Sequence, residues 1–223
     1  MIARTLAAGL IAGVVAGLAV AALQHVTTTP LILAAEVYET AQHAHDVAAE
    51  HAAPAFEGLR RTAATSLATV AVSIGYALIL LAGMLVSGDP IGPRRAALWG
   101  ACAFAATGLA TSLGLAPQLP GAAETDLAGR QIWWVAAAVS TGAGLYALLR
   151  LDAWIAQVAG AVLIVAPHFF TPTPAAPEST APAELAAQFA ASSLAVQAMS
   201  WVLAGALVGL VWRLISQDET QTA

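Results

Sequence analysis

The chain has 223 residues, of which 59% are hydrophobic and only 9% charged, with a formal net charge of −5. Soluble domains carry about a quarter charged residues, so this composition excludes an ordinary water-soluble fold and points to lipid as the solvent. Lysine is absent, and thirteen acids outnumber eight arginines, which argues against a nucleic-acid partner.

The first apolar run, Leu6–Val26, follows Arg4. It exceeds the apolar core of a usual signal peptide, and Ala19-Val20-Ala21 is a weak cleavage match, so a retained transmembrane helix is expected. A helix needs about 20 apolar residues to cross the hydrocarbon core. Six stretches approach that length: Thr5–His25, Ala64–Val86, Ala96–Ala116, Ile132–Leu149, Ala153–Phe170 and Leu185–Arg213. The fifth is the shortest. The expected fold is therefore all-α, a polytopic integral membrane helical bundle of about six transmembrane helices, or five if the fifth stretch does not span. The alternating pattern of a membrane barrel is missing. One membrane domain covers 1–223.

The joints carry turn chemistry. Gly88-Asp89-Pro90-Ile91-Gly92-Pro93 makes a tight turn, Pro117-Gln118-Leu119-Pro120-Gly121 stops the third stretch, and Thr171-Pro172-Thr173-Pro174 opens a Pro-rich loop over 171–184. The long hydrophilic segment, 27–63, is acidic, contains histidine and is expected to hold an interfacial helix from about Leu31 to Ala52. With six spans, Arg4, Arg94, Arg95, Arg150 and Arg213 share one side, and Arg60, Arg61 and Arg130 the other. Five against three favours cytoplasmic termini in the inner membrane. Nine of the thirteen acids then face outward.

All five histidines fall on that outer side. His25 ends the first stretch, His43, His45 and His51 lie in the first outer loop, and His168 ends the fifth. On a helical wheel Glu36, Glu39, His43, Asp46 and Glu50 fall within about 80° of arc. Imidazole with carboxylate suits divalent cations such as cobalt, nickel or zinc. A solvated acidic face has the same pattern, so the loop residues leave both readings open. His25 and His168 sit at helix ends in apolar surroundings, where an ionisable group usually has a reason. Pro167 precedes His168 and releases backbone carbonyls there. Interfacial packing is the competing explanation for this pair. The candidate metal contacts are thus His25, His168, Glu36, Glu39 and His43.

Asp126 and Arg130 are four apart and can pair on a helix. Trp133 and Trp134 suit a membrane interface. Gly9, Gly13 and Gly17 form two successive GxxxG units and Gly205 and Gly209 another, permitting close helix approach within the chain or with a partner. Cys102, the single cysteine, reads as a small buried hydrophobe. No HExxH, CxxC pair or GxxxxGK[ST] loop occurs, and no nucleophile stands at recognisable spacing from a base, so an enzyme is not expected.

Several segments in order resemble the bacterial cobalt transporter subunit CbtA family. They are Leu23-Gln24, Thr29-Pro30-Leu31-Ile32-Leu33, Glu36-Val37-Tyr38-Glu39, Gly58-Leu59-Arg60-Arg61-Thr62, Leu98-Trp99-Gly100, the run Leu113 to Gly121, Arg130-Gln131-Ile132-Trp133-Trp134 and Ala166-Pro167-His168. The chain departs from the family pattern at Gln118, where that pattern has Glu, and at Phe169, where it often has proline. The first change removes one outer carboxylate. The resemblance implies a membrane protein of cobalt uptake linked to cobalamin biosynthesis, with no tightly bound cofactor. Its cargo would be cobalt, with nickel second. It also implies a small CbtB-like partner with one membrane helix and a histidine-rich end; a homo-oligomer is another way to use the GxxxG faces. The rival reading is a non-transporting membrane scaffold or assembly subunit, for which those faces matter and the histidines do not.

Overall fold

The computed structural model describes residues 2–43, 54–122, 126–173 and 179–221, and for 39–43, 54–57 and 218–221 the backbone alone. Every regular element among them is helical: α1 (Ile2–Val26), α2 (Thr28–His43), α3 (Pro54–Ser87), α4 (Pro93–Phe104), a π-helical turn (Ala105–Leu109) leading into α5 (Ala110–Gly114), α6 (Leu127–Arg150), α7 (Trp154–Val165), a 3-10 turn (Ala166–Phe170) and α8 (Ala183–Gln221). Five helices are long and apolar enough to cross a membrane: Ile2–Val26, Gly58–Ser87, Pro93–Gly114, Leu127–Arg150 and Ala183–Gln217. Trp154–Phe170 is apolar but shorter. The fold is thus an all-helical membrane bundle, with the fifth stretch short of a full span by length. The helix of the hydrophilic segment starts at Thr28, ahead of the expected Leu31, and its expected continuation to Ala52 lies outside the described residues.

The chain packs into two compact units. One comprises Met1–Pro30, His45–Ala101 and Val196–Ala223, the other Leu31–Ala44 and Cys102–Ala195.

In the first unit, small residues let helix backbones meet. Ala8, Ala12 and Ala16 are fully buried, and the interleaved Gly9, Gly13 and Gly17 face α3. A Cβ at Gly13 would run into the Ile74 backbone, and one at Gly17 into that of Val70. On the opposite face Leu10, Ile11, Val15 and Leu18 are exposed. Bulky apolar groups outside and small ones inside is the packing logic of lipid, where close van der Waals approach replaces the hydrophobic effect between helices. The end of α8 joins this core through Ala204, Val208 and Trp212, with Gly205 against the Ala96 carbonyl and Gly209 against Gly92. Tyr76 and Trp201 stack at 3.7 Å between ring centroids, with planes 9° apart. Both GxxxG faces are therefore used inside the chain.

In the second unit α6 and α7 cross at Gly144 and Gly160, each facing the other's carbonyl. A small apolar cluster of Ala35, Leu119 and Ala181, with Ile32, Leu185 and Phe189 against it, ties α2 to the two Pro-containing loops. Gly121, with φ of +73°, supplies the left-handed turn that lets its carbonyl accept from the Thr180 backbone N–H at 3.1 Å.

Candidate functional site

The most developed polar site in the second unit surrounds His168. Pro167 opens the 3-10 turn Ala166–Phe170, which swings the imidazole toward the α4–α5 rod. The Nε2–H of His168 donates to the Ala110 carbonyl at 3.0 Å. A carbonyl can only accept, so this bond fixes the proton on Nε2 and leaves the Nδ1 lone pair for a ligand when the ring is neutral. The His168 carbonyl accepts from the Thr171 hydroxyl at 3.1 Å, which pins the turn behind the ring.

Trp133 completes the setting. Its indole Nε1–H donates to the Pro167 carbonyl at 2.8 Å, and its ring meets the His168 imidazole edge-on, with centroids 6.1 Å apart. The ring reaches this position because Gly114 has no side chain: a Cβ there would overlap the indole and crowd Thr171. Three sequence blocks distant from one another thereby converge, those containing Gly114, Trp133 and Pro167-His168.

Opposite His168 the helix itself is irregular. The Ala110 N–H bonds to the Ala105 carbonyl, five residues back, as the π turn requires. The neighbouring carbonyls are bonded by side chains. Thr107 donates to Ala103 O at 2.8 Å, Thr111 to Thr107 O at 2.8 Å and Gly108 O at 3.1 Å, and Ser112 to Gly108 O at 2.6 Å. In lipid every backbone group needs an internal partner, and these hydroxyls supply partners where the α-helical ladder is interrupted.

The residues expected from sequence separate as follows. His168 lies in the second unit, as does Glu36, which is half-buried on α2 beside the buried Ala35. Glu39 and His43 lie on the same helix, but their side chains are outside the described residues, as are His45 and His51 altogether. His25 belongs to the first unit, where it is exposed at the end of α1. Its neighbour Gln24 accepts from the Thr69 hydroxyl at 2.7 Å, so that amide braces α1 on α3. Among the described residues no three His, Cys, Asp or Glu side chains come together as a metal cage.

Two expectations change. Asp126 does not pair with Arg130; it caps α6, accepting from the Gly129 N–H at 2.6 Å. The N-cap position offers a carboxylate free backbone donors at shorter reach than a flexible guanidinium. Trp133 and Trp134 also part company: Trp134 is exposed in the manner of an interface residue, whereas Trp133 is buried in the His168 site. Sequence reasoning missed Trp133 and Gly114 as site residues. The signal was present in the adjacent tryptophans, since consecutive helical side chains point about 100° apart and both cannot face lipid.

No curated protein and no solved structure matches the chain. The family model for CbtA, described as a probable cobalt transporter subunit, matches residues 2–213. The chain, a multi-pass membrane protein built almost wholly of helices, belongs to the CbtA family of probable cobalt transporter subunits.

Proposed function

We propose that this subunit takes up divalent cobalt by capturing the cation on an acidic, histidine-bearing outer face, with His168 as the first intramembrane ligand. The observation that carries the reading is the His168 to Ala110 bond. It leaves one ring nitrogen, Nδ1, free to ligate and holds the ring at the end of an apolar helix. Glu36, Glu39 and His43 on α2 form the vestibule that gathers cations ahead of it. His25, on the first unit, contributes a second imidazole at the same membrane surface. The termini lie in the cytoplasm of a cell whose inner membrane holds the protein. A small single-helix partner with a histidine-rich end delivers or receives the ion, and no cofactor is held tightly.

The scaffold alternative leaned on unoccupied GxxxG faces. Those faces are filled by α3, Ala96 and Gly92 of the same chain, which favours the transport reading.

The test is purification of the full chain, titration with Co2+, Ni2+ and Zn2+, and uptake of the same ions into proteoliposomes. The expected result is stoichiometric Co2+ binding that His168→Ala weakens and uptake that follows binding. Equal binding and uptake by the native chain and a His25→Ala/His168→Ala double variant would overturn this assignment of the mouth.

A further inference from the structure

One polar group in the second unit has no structural role. Thr141, on α6, is 2% exposed, and its hydroxyl has no hydrogen-bond partner among the described residues. Threonines in membrane helices normally turn the hydroxyl back onto the carbonyl four residues earlier, as Thr107 and Thr111 do. Thr141 does not. The carbonyl it would use, that of Ala137, accepts from Ser140 at 3.4 Å instead. A buried hydroxyl left unpaired costs about 1–3 kcal/mol, and valine would fill the same space without that cost.

Its height along the bundle is informative. α6 runs antiparallel to the α4–α5 rod and packs on the π turn, and Trp133 meets Gly114. At a rise of about 1.5 Å per residue, Ala137 is level with Ala110, and Thr141 with Ala106 and Thr107. The unpaired hydroxyl therefore faces the level of the π turn. It lies about one helical turn, roughly 6 Å, deeper than the carbonyl that holds His168. The π turn brings oxygen to that level: the Thr107 and Gly108 carbonyls, and the Thr111 hydroxyl, which is 3% exposed. Thr111 spends its proton on those carbonyls, so its own oxygen lone pairs remain.

We propose that Thr141 and the π turn form an oxygen-lined intramembrane site for a divalent cation, the next resting point after His168. Hydroxyl and carbonyl oxygens replace part of a hydration shell while binding weakly, which suits a site that must release its ion. The π turn is then functional, because only a broken α-helical ladder presents backbone oxygen at this depth. The site rests on the uptake reading above, but its occupancy can be tested separately.

Two variants of the full chain in proteoliposomes decide the matter. Thr141→Val is expected to lower Co2+ uptake about tenfold, with Co2+ affinity at His168 unchanged and melting temperature equal or higher. A purely structural threonine would give native uptake, and that result overturns the proposal. Thr141→Cys, on a Cys102→Ser background, is expected to react with a small cationic thiol reagent and to be shielded by Co2+. An inert thiol, or one that Co2+ does not shield, overturns it too. Should the native chain take up no Co2+ while Thr141→Cys is reactive and shielded, the uptake reading fails and the cation site stands.

Discussion

His168 donates its Nε2–H to the carbonyl of Ala110 at 3.0 Å, a backbone partner 58 residues earlier in the chain. Most ligating histidines are oriented by such a second bond, which fixes the tautomer and aims the other nitrogen. Here the orienting group is a carbonyl at the C-terminal edge of a π turn. The turn thus provides both the anchor for the ring and the interruption in the helix beneath it.

Co2+ binding is expected to weaken about tenfold or more in His168→Ala. The pH dependence has a definite sign. A proton and a metal compete for Nδ1, since Nε2 is already protonated toward Ala110 in either case. Binding is therefore full where imidazole is neutral and is lost as pH falls through the range where imidazole protonates. Equilibrium dialysis with Co2+ across pH 5 to 8 checks this, and an affinity flat in pH would place the ligand elsewhere. Glu36→Gln should change affinity by no more than about twofold while slowing association at low salt, because a vestibule charge acts through steering.

The Trp133 indole is held by its bond to the Pro167 carbonyl and by the absence of a side chain at Gly114. Trp133→Phe loses that bond and leaves the carbonyl unpaired, at a cost of about 1–3 kcal/mol. Gly114→Ala forces the indole to move. Both changes should weaken Co2+ binding through His168 without removing a ligand. The distinguishing readout is retained imidazole-type pH dependence in Trp133→Phe, against its loss in His168→Ala. Native affinity in Gly114→Ala would show that the indole does not position the ring.

Much of the bundle was legible because lipid demands long apolar runs, and every candidate span begins or ends near a Gly- or Pro-rich joint. The helix of the hydrophilic segment was legible as well, down to an error of three residues at its start. The site was harder. His168 stood out as an ionisable group at the end of an apolar run beside proline, but its partner is a backbone carbonyl, which no side-chain pattern reports. The π turn is invisible in Ala105-Ala106-Thr107-Gly108-Leu109, since any sequence of small residues can accept the extra residue. Trp133 was hidden because two adjacent tryptophans read first as an interfacial pair. Thr141 reads as one more small polar residue until its burial and lack of a partner are seen. For Asp126, the helix start that makes it a cap was placed several residues too late, at Ile132.

The loop between α3 and α4 predicts a ranked pair of variants. Asp89 has a side chain only 6% exposed; it accepts from the Trp99 indole at 2.7 Å and lies 3.5 Å from the Arg95 guanidinium. Gly88, at φ of +69°, turns the chain so that the carboxylate faces inward. Asp89→Ala leaves the Trp99 donor without this acceptor and should cost about 1–3 kcal/mol. Asp89→Asn keeps an acceptor and loses the ion pair, which is half-exposed on the arginine side and so contributes less than about 1 kcal/mol. Thermal unfolding in detergent should order the proteins native, Asn, Ala. An alanine variant as stable as the native chain would mean that the buried carboxylate is not structural.

The glycines of α1 and α3 allow the close-packing account to be tested by graded substitution. Gly13 faces the backbone of Ile74, which cannot rotate away, so Gly13→Ala must separate the two helices and is expected to cost about 1–3 kcal/mol. Gly9 faces the far end of the Leu78 side chain, which can turn aside, and Gly9→Ala should cost less. Gly75, on α3, has open space where its Cβ would stand. There the ordinary helix preference decides, and Gly75→Ala should stabilise by about 0.5–1 kcal/mol. Composition cannot produce this order, since all three replacements are chemically identical. It follows only if α1 is held on α3 by backbone approach at Gly13. Equal destabilisation at Gly9, Gly13 and Gly75 in a detergent melting series would show that the GxxxG face is turned elsewhere, and a partner subunit would then be the first candidate to cover it.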